Sequence, residues 1–245
     1  MNRFYIEKSG ISDKIAVLND PEQLHHLRDV LRIKTGEKAG VFDAAGNEYL
    51  TVVSEVGPAC AKLEIVEKRP SNELNIEITV ACAIPKKVKM GDIVDKLTQL
   101  GVVCIIPLQT ERVVVKLNKQ KKLQRFQRWE KIAASAVKQS QRSKFVEIKP
   151  VADFKEVISG ARDFDLKLIP TLEAQRMTLK SIFNQAGRQF HKIMVLIGPE
   201  GDFTPREVAL AKEAGFLPVS LGNQVLRVDT AAIAVVSFIK LNAEN

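Results

Sequence analysis

The sequence predicts a two-part α/β protein, with a small β-barrel over residues 1–72 and an α/β domain over residues 73–245. Three observations predict it. Short β-like runs fill the first part. Beyond the polar, proline-bearing stretch "EKRPSNELN" (67–75), strands and helices alternate. At "VLIGPEGDFTPREVALAKEAGF" (195–216), an apolar run stops at Gly198-Pro199-Glu200-Gly201 and a well-signalled helix follows. Such a junction belongs to a sheet covered on both faces, whose ligands sit beyond the carboxyl ends of its strands.

In the first part, "RFYIE", "KIAVL", "KAGVFDAAGNEYLTVVSEV" and "CAKLEIVEK" read as strands, and Asp43 to Asn47 makes a glycine-containing hairpin turn. "PEQLHHLRDVLRI" (21–33) is the one helical stretch. It carries His25 and His26 with no third metal ligand in view, so both read as packing or capping residues and no metal is expected.

The second part opens with the strand "NIEITVACAI" (75–84). In "MGDIVDKLTQLGV" (90–102), Met90, Ile93, Val94, Leu97 and Leu100 recur at helical spacing, closed by Gly101. "VCIIPLQT" (103–110) is again a strand. "RWEKIAASAVKQSQR" (128–142) is a helix with Trp129, Ile132, Ala133, Ala136 and Val137 inward and Lys131, Ser135, Lys138 and Arg142 on its opposite side. Strands follow at 165–170, 193–197 and 218–222. Thr204 to Glu207 has the spacing of a capping box, with Pro205 at the first helical position. The last helix, "TAAIAVVSFIKL" (230–241), is almost wholly apolar and must be buried in the core or against a partner chain.

The strand-end loop at 198–201 lacks the spacing of either common phosphate cradle. Its glycines permit close backbone approach, Pro199 stiffens it, and Glu200 favours a neutral or cationic ligand. Cys60, Cys82 and Cys104 are scattered and read as reduced thiols. No apolar stretch approaches the roughly 18 residues of a membrane span, and "MNRFYIEKSG" lacks the apolar core of a signal peptide. The expected location is the cytoplasm. Charge is uneven: residues 1–72 hold 10 Lys/Arg and 11 Asp/Glu, whereas residues 86–149 hold 16 Lys/Arg and 5 Asp/Glu. The run "KLNKQKKLQRFQR" (116–128) has six basic residues and no acid, the footprint of a phosphate-tracking patch.

"IGPEGDFTPREV" followed by "LGNQVLRVDTAAI" resembles the two signature segments of the SPOUT methyltransferases, GPEGG and LG-x-x-[IV]-LR-x-E-T-A. The order of "KMGDIVDKLTQLGV", "ERVVVK", "RWEKIAASAVKQSQR" and these segments is similar to that of the RsmE family, small-subunit rRNA uridine N3-methyltransferases. "HHLRDVLRIKTGE" (25–37) is similar to a segment of that family's PUA-like N-terminal barrel. Four positions depart from the pattern: Gln99 and Lys138 replace acids, Asp202 replaces the second glycine of GPEGG, and Asp229 replaces a glutamate.

The resemblance implies a SPOUT-type trefoil-knotted α/β domain preceded by a PUA-like, RNA-binding β-barrel. It implies an S-adenosylmethionine-dependent enzyme acting on 16S rRNA of the small ribosomal subunit, as a homodimer joined through the last helix. The cofactor would lie among three loops. They hold Thr171 and Leu172; Ile197, Gly198, Pro199, Glu200 and Gly201; and Leu221, Gly222, Val225, Leu226 and Thr230. Arg142 and Arg227 are candidates to stabilise the anion formed at uracil N3, with Asp229 as base or as organiser of Arg227. Arg3, Arg28, Arg32, Lys86, Lys87, Arg112, Lys119, Lys121 and Lys122 are candidate RNA contacts. Two other readings stay open: a SPOUT enzyme with another RNA target, and a non-catalytic RNA-binding ribosome-assembly factor.

Overall fold

The computed structural model describes residues 1–43, 46–69, 76–86, 90–112, 119–140, 142, 144–173, 175–185 and 190–243. The chain divides into two compact units. Met1–Glu73 with Val137–Phe145 form the first, and Leu74–Ala136 with Val146–Asn245 form the second.

In the first unit, β1 (Arg3–Tyr5), β2 (Ile15–Leu18), β3 (Lys38–Phe42), β4 (Glu48–Val56) and β5 (Ala61–Arg69) form one sheet in the order β1-β3-β4-β5-β2. All its ladders are antiparallel except β1 to β3. Register shifts between Leu50 and Thr51 and between Val53 and Glu55 leave an extra residue on β5 (Val66) and on β4 (Ser54), irregularities that bend a strand and increase its twist. The sheet packs around a core that includes Phe4, Leu18, Leu27, Val53 and Leu63. β1 and β2 stand at the two ends of that strand order.

The β3–β4 turn forms where expected. Asp43 accepts from the Asn47 amide at 2.9 Å and from its side chain at 2.8 Å, with Gly46 at φ 84°. Residues 44 and 45 lie outside the described residues. The helix expected over 21–33 is shorter. α1 (Pro21–His25), capped by Asp20, passes into a π-helical turn over His26–Val30, and Arg32 takes a left-handed φ of 54°.

The second unit is built on parallel strands. β6 (Glu77–Ala83), β7 (Cys104–Gln109), β8 (Glu147–Ile148), β9 (Ala152–Asp153), β10 (Leu166–Pro170), β11 (Met177–Thr178), β12 (Lys192–Ile197) and β13 (Leu217–Ser220) run in the order β11-β13-β10-β12-β6-β7-β8, with β9 also on β7. Apart from their first residues, β6 and β12 are buried throughout, as strands covered on both faces must be. One face packs Ala81, Met194 and Leu196 against α4 (Phe154–Ser159) and α6 (Pro205–Glu213). α2 (Met90–Gln99) and α7 (Val228–Ala243) pack on each other, and α7 also lies on β6 and β12.

α3 spans Lys119–Gln139, starting and ending earlier than the helix expected over 128–142. Its first turns are Lys, Gln, Leu and Arg, all strong helix formers, so the basic run extends the helix. At its other end, the Arg142 amide donates to the Val137 carbonyl at 3.1 Å, a bond five residues back that closes the helix. Arg142 therefore leaves the outer face that Lys131 and Ser135 share, and it is buried.

Candidate functional site

The three strand ends singled out by the sequence are neighbours. β13, β10 and β12 are adjacent and parallel, so the loops after Ser220, Pro170 and Ile197 leave one edge of the sheet. A cleft open to solvent lies among them.

Ten of the twelve expected cofactor residues line it: Thr171 and Leu172; Ile197, Gly198, Pro199 and Glu200; Leu221, Gly222, Val225 and Leu226. Gly201 and Thr230 do not. Gly201 turns its carbonyl to the Arg112 guanidinium. α7 begins at Val228, so Val228 and Ala231, three apart, face the cleft and Thr230 points to solvent. Sequence reasoning missed Arg176 and Gln224 on the walls. Asp202 was visible as a departure from the family pattern, but its role in the cleft was not.

Side chains hold the loops in place. Asp202 takes a left-handed φ of 60°. Its Oδ2 accepts from the Thr171 hydroxyl at 2.9 Å and the Leu172 amide at 2.7 Å, and its Oδ1 from the Phe203 amide at 2.8 Å. One carboxylate thus ties the loop after β10 to the loop after β12. Glu200 accepts from the Lys86 amide at 2.8 Å. The buried Glu207 completes the α6 capping box and also accepts from the Glu111 amide at 2.9 Å. Arg112 donates to the carbonyls of Gly201 and Phe203. A site fixed this way needs little ordering when a ligand binds.

The lining suits a purine nucleoside with a charged tail. Leu172, Ile197, Leu221, Val225 and Leu226 give apolar walls, and Leu172 and Val225 remain 54% and 72% exposed at the mouth. Gly222, at φ 115°, brings bare backbone to the surface of the cleft. Glu200 and Asp202 contribute negative charge that disfavours a polyphosphate and favours a cation. Beneath the floor, Cys82 pairs in register with Ile197. Burial first, and then the Asp229 and Glu200 carboxylates, push its thiol pKa up, so it stays protonated.

Asp229 sits in the first turn of α7, and its Oδ1 is buried with no hydrogen-bond partner. Arg227, two residues earlier and just ahead of α7, is exposed, its carbonyl accepting from the Ala231 amide at 2.8 Å. Arg142, 8% exposed, belongs to the first unit. Several expected RNA contacts are occupied. Arg3 pairs with Glu48 and stacks over Phe42, and Arg28 pairs with Asp29, whose carboxyl it holds at about 2. Arg112 is exposed and also braces the cleft loop. Arg32, Lys86 and Lys121 are exposed and Lys122 is half-buried. Lys87 and the Lys119 side chain lie outside the described residues. Lys138 pairs with Asp20 at 2.6 Å. Among the described residues no group of His, Cys, Asp and Glu could hold a metal ion, and no helix is long and apolar enough to cross a membrane.

Comparison with known proteins gives a consistent pattern. Residues 72–240 match the family described as RNA methyltransferase domain, and residues 18–65 match the RNA methyltransferase PUA domain. A Bacillus subtilis protein named ribosomal RNA small subunit methyltransferase E is 29% identical, over the whole of this chain and 98% of its own. A Synechocystis protein of the same name is 32% identical over 90% of this chain and 71% of its own. The structure of the Neisseria gonorrhoeae enzyme of that name, bound to S-adenosyl methionine, aligns with a TM-score of 0.78 at 28% identity, covering 98% of this chain and 97% of its own. A Legionella pneumophila chain solved in complex with the same cofactor aligns with a TM-score of 0.76 at 31% identity, covering 98% and 96%.

Proposed function

The chain belongs to the RNA methyltransferase family, and from that membership we propose that it uses S-adenosylmethionine to methylate N3 of a uridine in 16S rRNA of the small ribosomal subunit. The observation that carries the reading is the cleft where the three loops meet. Its apolar walls, bare Gly222 backbone and acidic side chains suit an adenosine bearing a sulfonium, and the relatives named above are rRNA methyltransferases.

Bound there, S-adenosylmethionine would supply an electrophilic methyl group. Thr171, Leu172, Ile197, Gly198, Pro199, Leu221, Gly222, Val225 and Leu226 would hold its adenosine part, and Glu200 would favour its positive charge. Uracil N3 must lose a proton as the N–CH3 bond forms. The Asp229 oxygen that lacks a partner gives that proton a destination, and the exposed Arg227 gives the developing anion a cation. Arg142 is buried, which suits an ordering role better than direct contact with phosphates.

The first unit, which carries the PUA similarity, is assigned to RNA binding with Arg28 and Arg32, and the basic face of α3 is assigned to the rRNA backbone. The knotted topology of the second unit is proposed from the family resemblance. A homodimer would cover the exposed Ala234 and Leu241 of the apolar α7. The working place is the cytoplasm, with its ribosomes. The deciding measurement is mass spectrometry of small-subunit rRNA from a deletion strain beside wild type. One methyluridine should disappear and return on complementation, and an unchanged nucleoside profile would overturn the reading.

A further inference from the structure

Resting on the cofactor reading above, we propose that Arg176 receives the methionine carboxylate of S-adenosylmethionine and so fixes which way round the ligand lies in the cleft. Among the described lining residues Arg176 is the only cationic side chain, facing a cleft that also holds the carboxylates of Glu200 and Asp202. It is half-buried. Its Nη1 donates to the Thr171 carbonyl at 3.0 Å, and among the described residues no carboxylate pairs with it. A guanidinium has five N–H donors in a rigid fork. One bond to a neutral carbonyl leaves most of them, and the full positive charge, at the wall of the cleft.

The two carboxylates are differently engaged. Glu200 is bound by the Lys86 amide, and Asp202 by Thr171, Leu172 and Phe203. Both are held in place by hydrogen bonds. The ligand's amino-acid end is a zwitterion joined to a cationic sulfur. Its carboxylate would be repelled by Glu200 or Asp202, whereas against Arg176 it gains a charge-assisted pair that can be bidentate. Recognition of the amino-acid end therefore falls to the loop after β10, through a residue that neither signature segment contains.

Two ligands separate the ends of the cofactor. S-adenosylhomocysteine has the amino acid, and 5′-methylthioadenosine keeps the adenosine and thioether without it. In calorimetry with the full chain, Arg176→Ala and Arg176→Gln should weaken S-adenosylhomocysteine about ten- to a hundredfold and leave methylthioadenosine unchanged. Arg176→Lys should restore part of the loss. Unchanged methylthioadenosine binding shows that the loop and the cleft keep their shape in the variants, so a selective loss of S-adenosylhomocysteine comes from the amino-acid end. If the alanine and glutamine variants lose both ligands alike, or neither, the Arg176 assignment fails while the cofactor reading stands. If the wild-type chain binds neither ligand, the cofactor reading fails and takes the assignment with it.

Discussion

Asp202 stands where the resembling family has glycine, and its backbone keeps the left-handed conformation that glycine adopts freely. The side chain adds three hydrogen bonds that join two loops of the cleft. Asp202→Gly removes them without backbone strain. It should weaken S-adenosylmethionine about tenfold in calorimetry and lower Tm as well, since the bonds lost belong to the folded chain. Equal affinity would mean the loops hold themselves. The three glycines of the cleft loops differ in a way their letters do not reveal. A Cβ at Gly198 would lie 3.1 Å from the Phe203 ring, whereas one at Gly201 would meet only the Arg112 Cδ at 3.7 Å. Close approach is thus demanded at 198 and not at 201. Gly198→Ala should lower both cofactor affinity and Tm, and Gly201→Ala should match wild type in both measurements.

At the scale of elements, Asp20 joins two features: it caps α1 through the amides of Glu22 and Gln23, and it pairs with Lys138. Burial opposes ionisation of its carboxyl, but the Lys138 hydrogen bond and the two amides outweigh it and hold the pKa below the ordinary value. A depressed carboxyl stabilises the fold above the unfolded pKa of about 4 and loses that contribution as pH falls through the lower folded value. Asp20→Asn keeps a cap but not the charge, so its Tm should fall less steeply with acid than wild type. Asp20→Ala loses both and should cost about 1 kcal/mol at neutral pH. An acid limb identical to wild type in Asp20→Asn would remove the pair from the account. Elements with strong signals were legible in the same way: the Thr204–Glu207 box, the Asp43–Asn47 turn and the inward face of α3 all stand where their residues put them. α4, α5 (Leu179–Gln185) and β11 were not anticipated. α4 and α5 are short, and the two-residue β11 exists only because β13 offers it an edge, which no local pattern encodes. The cleft was legible because glycine and proline punctuate its loops. Arg176 was not, since a single arginine in a polar loop has no periodicity to mark it.

At the scale of the whole molecule, the open questions are what covers α7 and what the positive charge meets. α7 buries Ala232, Val235, Val236 and Ile239 and leaves Ala234 exposed and Leu241 61% exposed. On the homodimer proposed above, the wild-type chain should sediment as a dimer at micromolar concentration, and Ala234→Asp or Leu241→Asp should give monomers. Val236, with no exposed surface, would report only on the core. Variants that remain dimeric would move the interface elsewhere. The charge makes a separate prediction. Lys121, Arg125 and Arg128 recur at spacings of four and three along α3, with Lys121 and Arg128 exposed, so they can follow a phosphate backbone. Each phosphate that a basic side chain neutralises releases counterions, and binding weakens as salt rises. Replacing all three with alanine should lower the slope of log affinity against log salt for an rRNA fragment by about two to three units, near one for each phosphate left without its cation. Arg112→Ala is the control of opposite kind, because its guanidinium braces Gly201 and Phe203. It should weaken the cofactor and leave the salt slope alone. If the triple variant keeps the wild-type slope, α3 presents a merely solvated face, and the RNA must be held by the first unit, where Arg32 is exposed beside the π-helical turn.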